Sequence, residues 1–369
     1  MILGLQAAWG RLDRRVIVDC GRSLLQRAQA LAARQFYSLL ERIGYRPVTR
    51  LTQPFVPPVA ARLVTMLRAG EHDRLRYTLS RLHPDSLRST LEAMLDLLDE
   101  AESSSRWLER LWQWYQGNRE ILAATALIHG LLRHAWICHG RGGKWAAEFR
   151  ESLEEAERLL DQTLAKQPEN ADLLCLRLLA ARGLRRELPE HWLRFRALLA
   201  VAPTHYRGHL CMLENLTARW CGSDQAMFRF ARGRASQLPV GDPLRALPLL
   251  AHFEMRQQDA WRGDVAAVDP WFCRPEVSAE VIALWQELQA PLAGQGNAQA
   301  DELLNFFAAA LYLSSHPDLA SEALTRMDGR CAVAPWNALG RTEREKHNPG
   351  WVVDRVKAEI AAKSSANPQ

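Results

Sequence analysis

The sequence lacks a long apolar segment and a strong excess of charge of either sign. Its longest apolar run, at residues 303–313, has 11 residues and contains Asn305, whereas a membrane-spanning helix needs about 20. A transmembrane span is therefore not expected. The 47 Lys and Arg residues nearly balance the 42 Asp and Glu residues, and so small an excess does not predict nucleic-acid binding.

Cysteine motifs, a secretion signal and a catalytic elbow are also missing. The seven cysteines are odd in number and never paired at the two-residue spacing of metal or redox motifs, so free thiols in a reducing compartment are expected. A signal peptide begins with basic residues, which are followed by an apolar region. Here no basic residue precedes the apolar residues 1–5, and Arg11 lies too close to the N-terminus to leave room for the apolar region. No Gly-x-Ser-x-Gly motif occurs. These observations predict a cytoplasmic protein with no catalytic residues, no cofactor and no metal.

The glycine-rich segment at residues 140–144 resembles a phosphate-binding loop only superficially. Trp145 stands where such a loop carries the Ser or Thr that binds magnesium. We interpret this segment as the turn between the two helices of a hairpin.

Helical periodicity runs through almost the whole sequence, without the strict alternation and tight turns of β-hairpins. The predicted fold class is all-α. Helices are expected at residues 59–82, 85–102, 105–116, 119–139, 275–288, 300–314 and 318–327. The predicted organisation is a basic amphipathic arm (1–50), a Pro-rich linker (51–58), an N-terminal helical region (59–139), a helical array (140–330) and a loosely docked C-terminal tail (331–369).

The N-terminal arm combines nine arginines and three acidic residues with an apolar stripe at helical spacing. Such a helix can lie on an anionic membrane surface, dock an acidic partner or pack on the chain's own array. Because the arginines are mixed with few aromatic residues, we expect intramolecular docking, with peripheral membrane contact as the alternative. The stripe consists of Leu24, Leu31, Phe36, Leu39 and Ile43.

Regularly spaced prolines are the most informative feature of the array. Pro168, Pro203 and Pro239 are 35 and then 36 residues apart, and a large apolar residue precedes each by eight or nine positions. This interval is typical of the helix-turn-helix unit of tetratricopeptide repeats, which is about 34 residues long. The pattern predicts an α-solenoid of stacked antiparallel helix hairpins, with each proline ending a second helix.

Several short segments resemble a bacterial family of tetratricopeptide-like proteins. The most specific are the Arg219-Trp-Cys-Gly-Ser223 corner and the Ala251-His-x-Glu254 element, and the similarity covers roughly residues 136–254. The family has no assigned activity. The resemblance therefore implies the fold and a bacterial cytoplasmic origin, and it transfers no chemistry.

His205 and His209 have the spacing at which one helical face can present two metal ligands. Glu214 is nine residues from His205, about half a turn out of phase, so it does not complete a ligand set. We interpret the two histidines as a polar patch on a packing or groove face. Arg234 falls on an apolar stripe beside Phe230, which predicts either an internal ion pair with Glu214 or Glu254, or a groove position that binds a carboxylate.

An extended helical array favours binding over catalysis because it has no closed, dry pocket by default. We therefore expect a non-enzymatic interaction scaffold that holds a peptide or protein, with an acidic segment or chain terminus, in a concave groove. The alternative is an enzyme that uses His205, His209, His252 and Glu254 as acid, base or ligand groups. The candidate partner-binding residues are His205, His209, Arg219, Trp220, Arg234, His252 and Glu254.

Overall fold

The structure, a computed structural model, describes residues 58–82, 84–261, 271–295, 298–342, 345–346 and 348–366. The predicted arm (1–50), and the predicted linker apart from its last residue, lie outside the described residues. Contacts between Cα atoms divide the chain into two units, one of residues 53–323 and one that includes residues 324–369.

Every regular element of the described residues is a helix, which confirms the all-α fold class. Within the described ranges, three short 3₁₀ segments lie at Gly143–Trp145, Pro243–Ala246 and Trp336–Leu339. The α-helices are α1 (Pro58–Ala69), α2 (His72–Ser80), α3 (Pro84–Ala101), α4 (Ser104–Asn118), α5 (Ile121–Arg141), α6 (Ala146–Leu164), α7 (Ala171–Gly183), α8 (Leu188–Val201), α9 (Tyr206–Asn215), α10 (Asp224–Gln237), α11 (Leu247–Trp261), α12 (Pro275–Gln295), α13 (Ala298–Leu313), α14 (Pro317–Arg326) and α15 (Pro349–Ala366).

Consecutive helices pack against each other through the middle of the chain. Helix α5 packs on α6, α7 on α8, and α12 on α13, while α9 contacts both α7 and α10. Helices α6, α8 and α10 end at residues 164, 201 and 237, shortly before the three regularly spaced prolines. The prolines therefore follow helix ends, as their interval predicts.

Side-chain caps explain where several of these helices begin. The Leu173 backbone N–H donates to Asn170 Oδ1 at 3.1 Å, and the Ala226 N–H donates to Ser223 Oγ at the same distance. The Leu244 N–H donates to Asp242 Oδ1 at 2.9 Å, at the start of the 3₁₀ segment that precedes α11. Each cap pairs a backbone donor that the first helical turn leaves without an intrahelical acceptor.

Two helices differ substantially from the predictions, whereas the other predicted ends lie within two residues of the observed ones. The single helix expected at residues 59–82 is divided into α1 and α2 at Gly70, whose φ of +70° is the left-handed conformation that ends helices. Helix α12 continues seven residues beyond the predicted end at 288 and passes through Pro291. Leu292, directly after this proline, is buried, and the burial of the added turn offsets the hydrogen bond that proline removes.

Helix α5 is long and apolar enough to span a membrane by length and composition. Of its most apolar 18-residue window, 72% is buried inside the protein. Its packing on α4 and α6 is that of a core helix.

The segment predicted as a loosely docked tail contains ordered helical structure. Trp336 and Cys331 are fully buried, and α15 buries Val352, Val353 and Val356. Arg355 donates to Glu345 Oε1 at 2.8 Å, to Glu359 Oε1 at 3.2 Å and to the Leu339 carbonyl oxygen at 3.0 Å. These contacts tie α15 to the segment before it.

Candidate functional site

A surface pocket of about 300 Å³ lies where the ends of three helical hairpins meet. Its wall comes from the end of α5, the first turn of α6, the end of α7 and the loop after α9. The lining residues are His139, Ala146, Phe149, Arg150, Gly183, Leu184, Arg185 and Trp220.

Three glycines permit the tight backbone turns that surround the pocket. Gly142 and Gly143, with φ of +62° and +54°, form the predicted turn between α5 and α6. A Cβ atom at Gly222 would lie 2.2 Å from the carbonyl oxygen of Leu216. Only glycine therefore fits the tight corner that carries Trp220.

Aromatic rings form one side of the pocket. The Trp220 ring lies edge-on to Trp136, with centroids 5.5 Å apart, and 5.8 Å from the His139 ring. His139 lies 5.0 Å from Phe149, which is 5.7 Å from Trp136. These spacings are those of favourable aromatic pairs, so the four rings hold one another in place.

A largely buried arginine, Arg182, supports the aromatic rings from behind. The Arg182 guanidinium lies 5.1 Å from the Trp136 centroid and 5.6 Å from the Trp220 centroid, within the range of cation–π attraction. It also forms an ion pair with Glu214. Burial lowers the pKa of Arg182.

A second ion pair continues behind Trp220. Arg219 lies 3.6 Å from Glu254 Oε2, and its guanidinium is 5.7 Å from the Trp220 centroid. Burial raises the pKa of Glu254, although Arg219 and Arg182 oppose the shift. Arg219, Trp220 and Glu254, three of the predicted partner-binding residues, are therefore brought together here.

The rim of the pocket carries positive charge. Arg185 and Arg150 are exposed, and Arg150 is paired with Glu154 at 3.3 Å. The Arg185 side chain makes no hydrogen bond or ion pair within the described part of the chain. An exposed guanidinium with no internal partner is suited to bind a carboxylate.

His209 and Arg234 meet elsewhere, at the opposite end of α9. Arg234 Nη2 lies 3.2 Å from His209 Nε2, and Arg234 Nη1 donates to Gln237 Oε1 at 2.8 Å. The prediction that Arg234 pairs internally with Glu214 or Glu254 is wrong, because these glutamates contact Arg182 and Arg219 instead. The His209 ring packs 5.2 Å from Phe195, and burial lowers its pKa to about 4.

His205 serves as the N-cap of α9. Its Nδ1 accepts the Gly208 backbone N–H at 3.0 Å, while its Nε2 lies 3.5 Å from Asp172 Oδ1. Burial by itself would lower the pKa of His205, because it disfavours the charged ring. Asp172 and Cys175 outweigh this effect and raise the pKa to about 9. Because His209 packs between aromatic rings, the two histidines are engaged with different partners.

His252 belongs to a third cluster. Trp271 Nε1 donates to its Nδ1 at 3.2 Å, so its Nε2 carries the proton that faces Glu280 Oε2 at 2.9 Å. Arg232 binds both oxygens of Glu280, at 2.8 and 2.7 Å. Burial by itself would raise the pKa of Glu280, but Arg232 and His252 outweigh this effect and lower the pKa to about 2.

One group of side chains among the described residues has the composition of a metal site, and the sequence analysis missed it. His134 Nε2, Cys138 Sγ and a Glu148 oxygen all lie within 4.8 Å of one another. Burial raises the pKa of Cys138, with a contribution from Glu148. The spacing of four residues between His134 and Cys138 on one helix was the available signal.

Comparison with known proteins identifies no relative. No protein-family model, no curated protein and no solved structure matches the chain. The geometry of the sites is therefore the basis for assigning a function. The seven predicted residues are divided among four places, and Trp220 is the one of them that lines the pocket described above.

Proposed function

We propose that this chain is a non-enzymatic interaction protein, whose tetratricopeptide-like array binds a peptide segment that carries an apolar side chain next to a carboxylate. The apolar side chain enters the pocket beside Phe149 and Trp220. The carboxylate contacts Arg185 and Arg150. The observation that carries the proposal is a pocket with an aromatic wall and a cationic rim.

The order of the helices supports the tetratricopeptide-like assignment. Helices α5 and α6, α7 and α8, and α9 and α10 follow one another as short-looped pairs, and a proline follows the second helix of each pair. The pocket is formed at the turn end of these pairs.

The size and walls of the pocket suit one amino-acid side chain. A volume of about 300 Å³ is at the lower end of the range for ligand sites, which starts at roughly 300 Å³. Aromatic walls that are fixed by ring packing and by Arg182 lose little conformational freedom on binding. Burying a large apolar side chain there contributes about 1.5–3 kcal/mol.

A peptide-library experiment tests this proposal on the full chain. The library carries random C-terminal residues and is presented with free or amidated C termini, and a second set places Asp or Glu beside an internal apolar residue. We expect enrichment of peptides with an apolar residue next to a carboxylate. The two sets distinguish a chain terminus from an acidic side chain.

Two exposed, neighbouring arginines provide the matched variants. Arg185→Glu should weaken binding of a selected peptide about tenfold or more, since it replaces attraction by repulsion at the rim. Arg186→Glu changes the same net charge outside the pocket lining and should have a much smaller effect. Equal loss in both variants, or no enrichment from either set, would contradict the proposal.

A further inference from the structure

A cluster of one imidazole, one thiol and one carboxylate lies between α5 and α6. His134 and Cys138 are one helical turn apart and share a face of α5, so Cys138 Sγ lies 3.6 Å from His134 Nε2. Glu148, in the first turn of α6, reaches back to the same ring nitrogen at 2.9 Å. The turn between the helices thus brings three donor atoms to one point.

We propose that His134, Cys138 and Glu148 bind a thiophilic divalent metal ion of the zinc class. This inference is independent of the proposed peptide binding. It goes beyond the sequence analysis, which predicted no metal.

The distances between donor atoms fit a tetrahedral ion after a small adjustment. Ligand bonds of about 2.0–2.3 Å place donor atoms of a tetrahedral site roughly 3.3–3.8 Å apart. The 3.6 Å separation of His134 Nε2 and Cys138 Sγ lies in this range. The separation of His134 Nε2 and the Glu148 oxygen would lengthen by roughly half an ångström as the ion takes the place of the Nε2 proton, which moves to Nδ1 so that the imidazole stays neutral.

The chemistry of the donors selects the kind of ion. Nitrogen and sulfur ligands favour zinc and similar ions over magnesium and calcium, which prefer oxygen. A thiolate and a carboxylate together balance the two positive charges of the ion, and the neutral imidazole adds none. Metal binding releases the Cys138 thiol proton to solvent and forms the metal–sulfur bond without a change of oxidation state.

Burial gives the site a closed side and an open side. His134 and Cys138 are buried, whereas the Glu148 side chain is 37% exposed. The Trp107 ring lies edge-on to the His134 imidazole at 6.5 Å and limits its rotation. An ion can therefore enter past Glu148, and a water molecule can supply the fourth ligand.

Titration of the full chain with Co²⁺, followed by displacement with Zn²⁺, tests the site. We expect one Co²⁺ per chain and a thiolate-to-cobalt charge-transfer absorption band that zinc removes. Cys138→Ser should abolish this band, whereas Cys211→Ser, a substitution of a buried cysteine outside the cluster, should leave it unchanged. Absence of the band in the natural chain, or its persistence in Cys138→Ser, would overturn the proposal.

A second variant keeps the test decisive if Cys138→Ser fails to fold, which circular dichroism would reveal. Glu148→Gln alters a half-exposed side chain and should weaken Co²⁺ binding roughly tenfold or more, because loss even of an outer-shell partner costs 10- to 100-fold. Glu154→Gln, on an exposed position of the same helix, is its control. Unchanged affinity in Glu148→Gln would overturn the proposal.

Discussion

At the scale of single residues, burial determines what the histidines do. His209 is fully buried and packs against the Phe195 and Phe230 rings. Burial, and to a smaller extent Arg234, disfavour its charged form and lower its pKa from 6.5 to about 4. A spacing that suggested a metal ligand thus belongs to a packing residue.

This shift predicts a loss of stability in acid. Below pH 6.5 the unfolded chain takes up a proton at His209, whereas the folded chain does not until about pH 4. The free energy of unfolding should therefore fall as the pH is lowered from 6.5 to 4, by up to about 3 kcal/mol from this residue. Urea denaturation across this range measures the effect.

The variant His209→Phe should reduce this pH dependence, because it replaces the buried imidazole with a ring that does not titrate. His139→Phe, at an exposed histidine, is the matched control and should retain it. Identical pH profiles for the natural chain and His209→Phe would contradict the explanation.

The arginines show why ion pairs could not be read from the sequence. The helical pattern points to Arg234, but Arg194 is the more deeply buried. Arg194 binds Glu190, the Arg177 carbonyl oxygen and Glu157. Glu157 is 37 residues away in sequence and lies on a different helical hairpin. Partners at that distance are defined by how successive hairpins pack, and local spacing does not contain this information.

At the scale of helices, the sequence predicted helix ends well where a proline or a capping side chain determines them. The prolines at 168, 203 and 239 each follow a helix, as their interval predicts, and the side chain of Ser223 caps α10. The division at Gly70 and the continuation of α12 through Pro291 were not predicted. The continuation of α12 depends on the burial of Leu292, which outweighs local propensity, whereas the division at Gly70 follows the left-handed conformation of that glycine.

The glycine at the Trp220 corner provides a prediction at this scale. Gly222→Ala should destabilise the protein by roughly 2 kcal/mol or more, because the new Cβ would lie 2.2 Å from a backbone oxygen that cannot move aside cheaply. Gly233, inside α10, has no atom within 4 Å of the corresponding Cβ position. Gly233→Ala should therefore stabilise by about 0.5–1 kcal/mol through helix propensity.

Chemical denaturation of the two variants beside the natural chain measures both effects. The opposite signs of the two changes separate a steric requirement from the general cost of glycine. A stabilising Gly222→Ala substitution would show that the corner does not require glycine.

At the scale of the whole array, the pocket depends on the assembly of three helical hairpins. His139 and Phe149 come from the first, Arg185 from the second and Trp220 from the third. No single hairpin contains all four aromatic rings together with both arginines of the rim. The sequence could therefore indicate Arg219, Trp220 and Glu254 as candidates, but it could not place the residues of the preceding hairpins beside them.

The most direct test of the binding site is the indole N–H resonance of Trp220 during titration with a selected peptide. Trp220 Nε1 is buried and makes no hydrogen bond among the described residues, and Trp220→Phe assigns its signal. The account predicts saturable shifts of the Trp220 and Trp136 signals, while that of Trp107, whose Nε1 donates to Asp99 at 2.9 Å, stays fixed. Binding that leaves the Trp220 signal unmoved would contradict it.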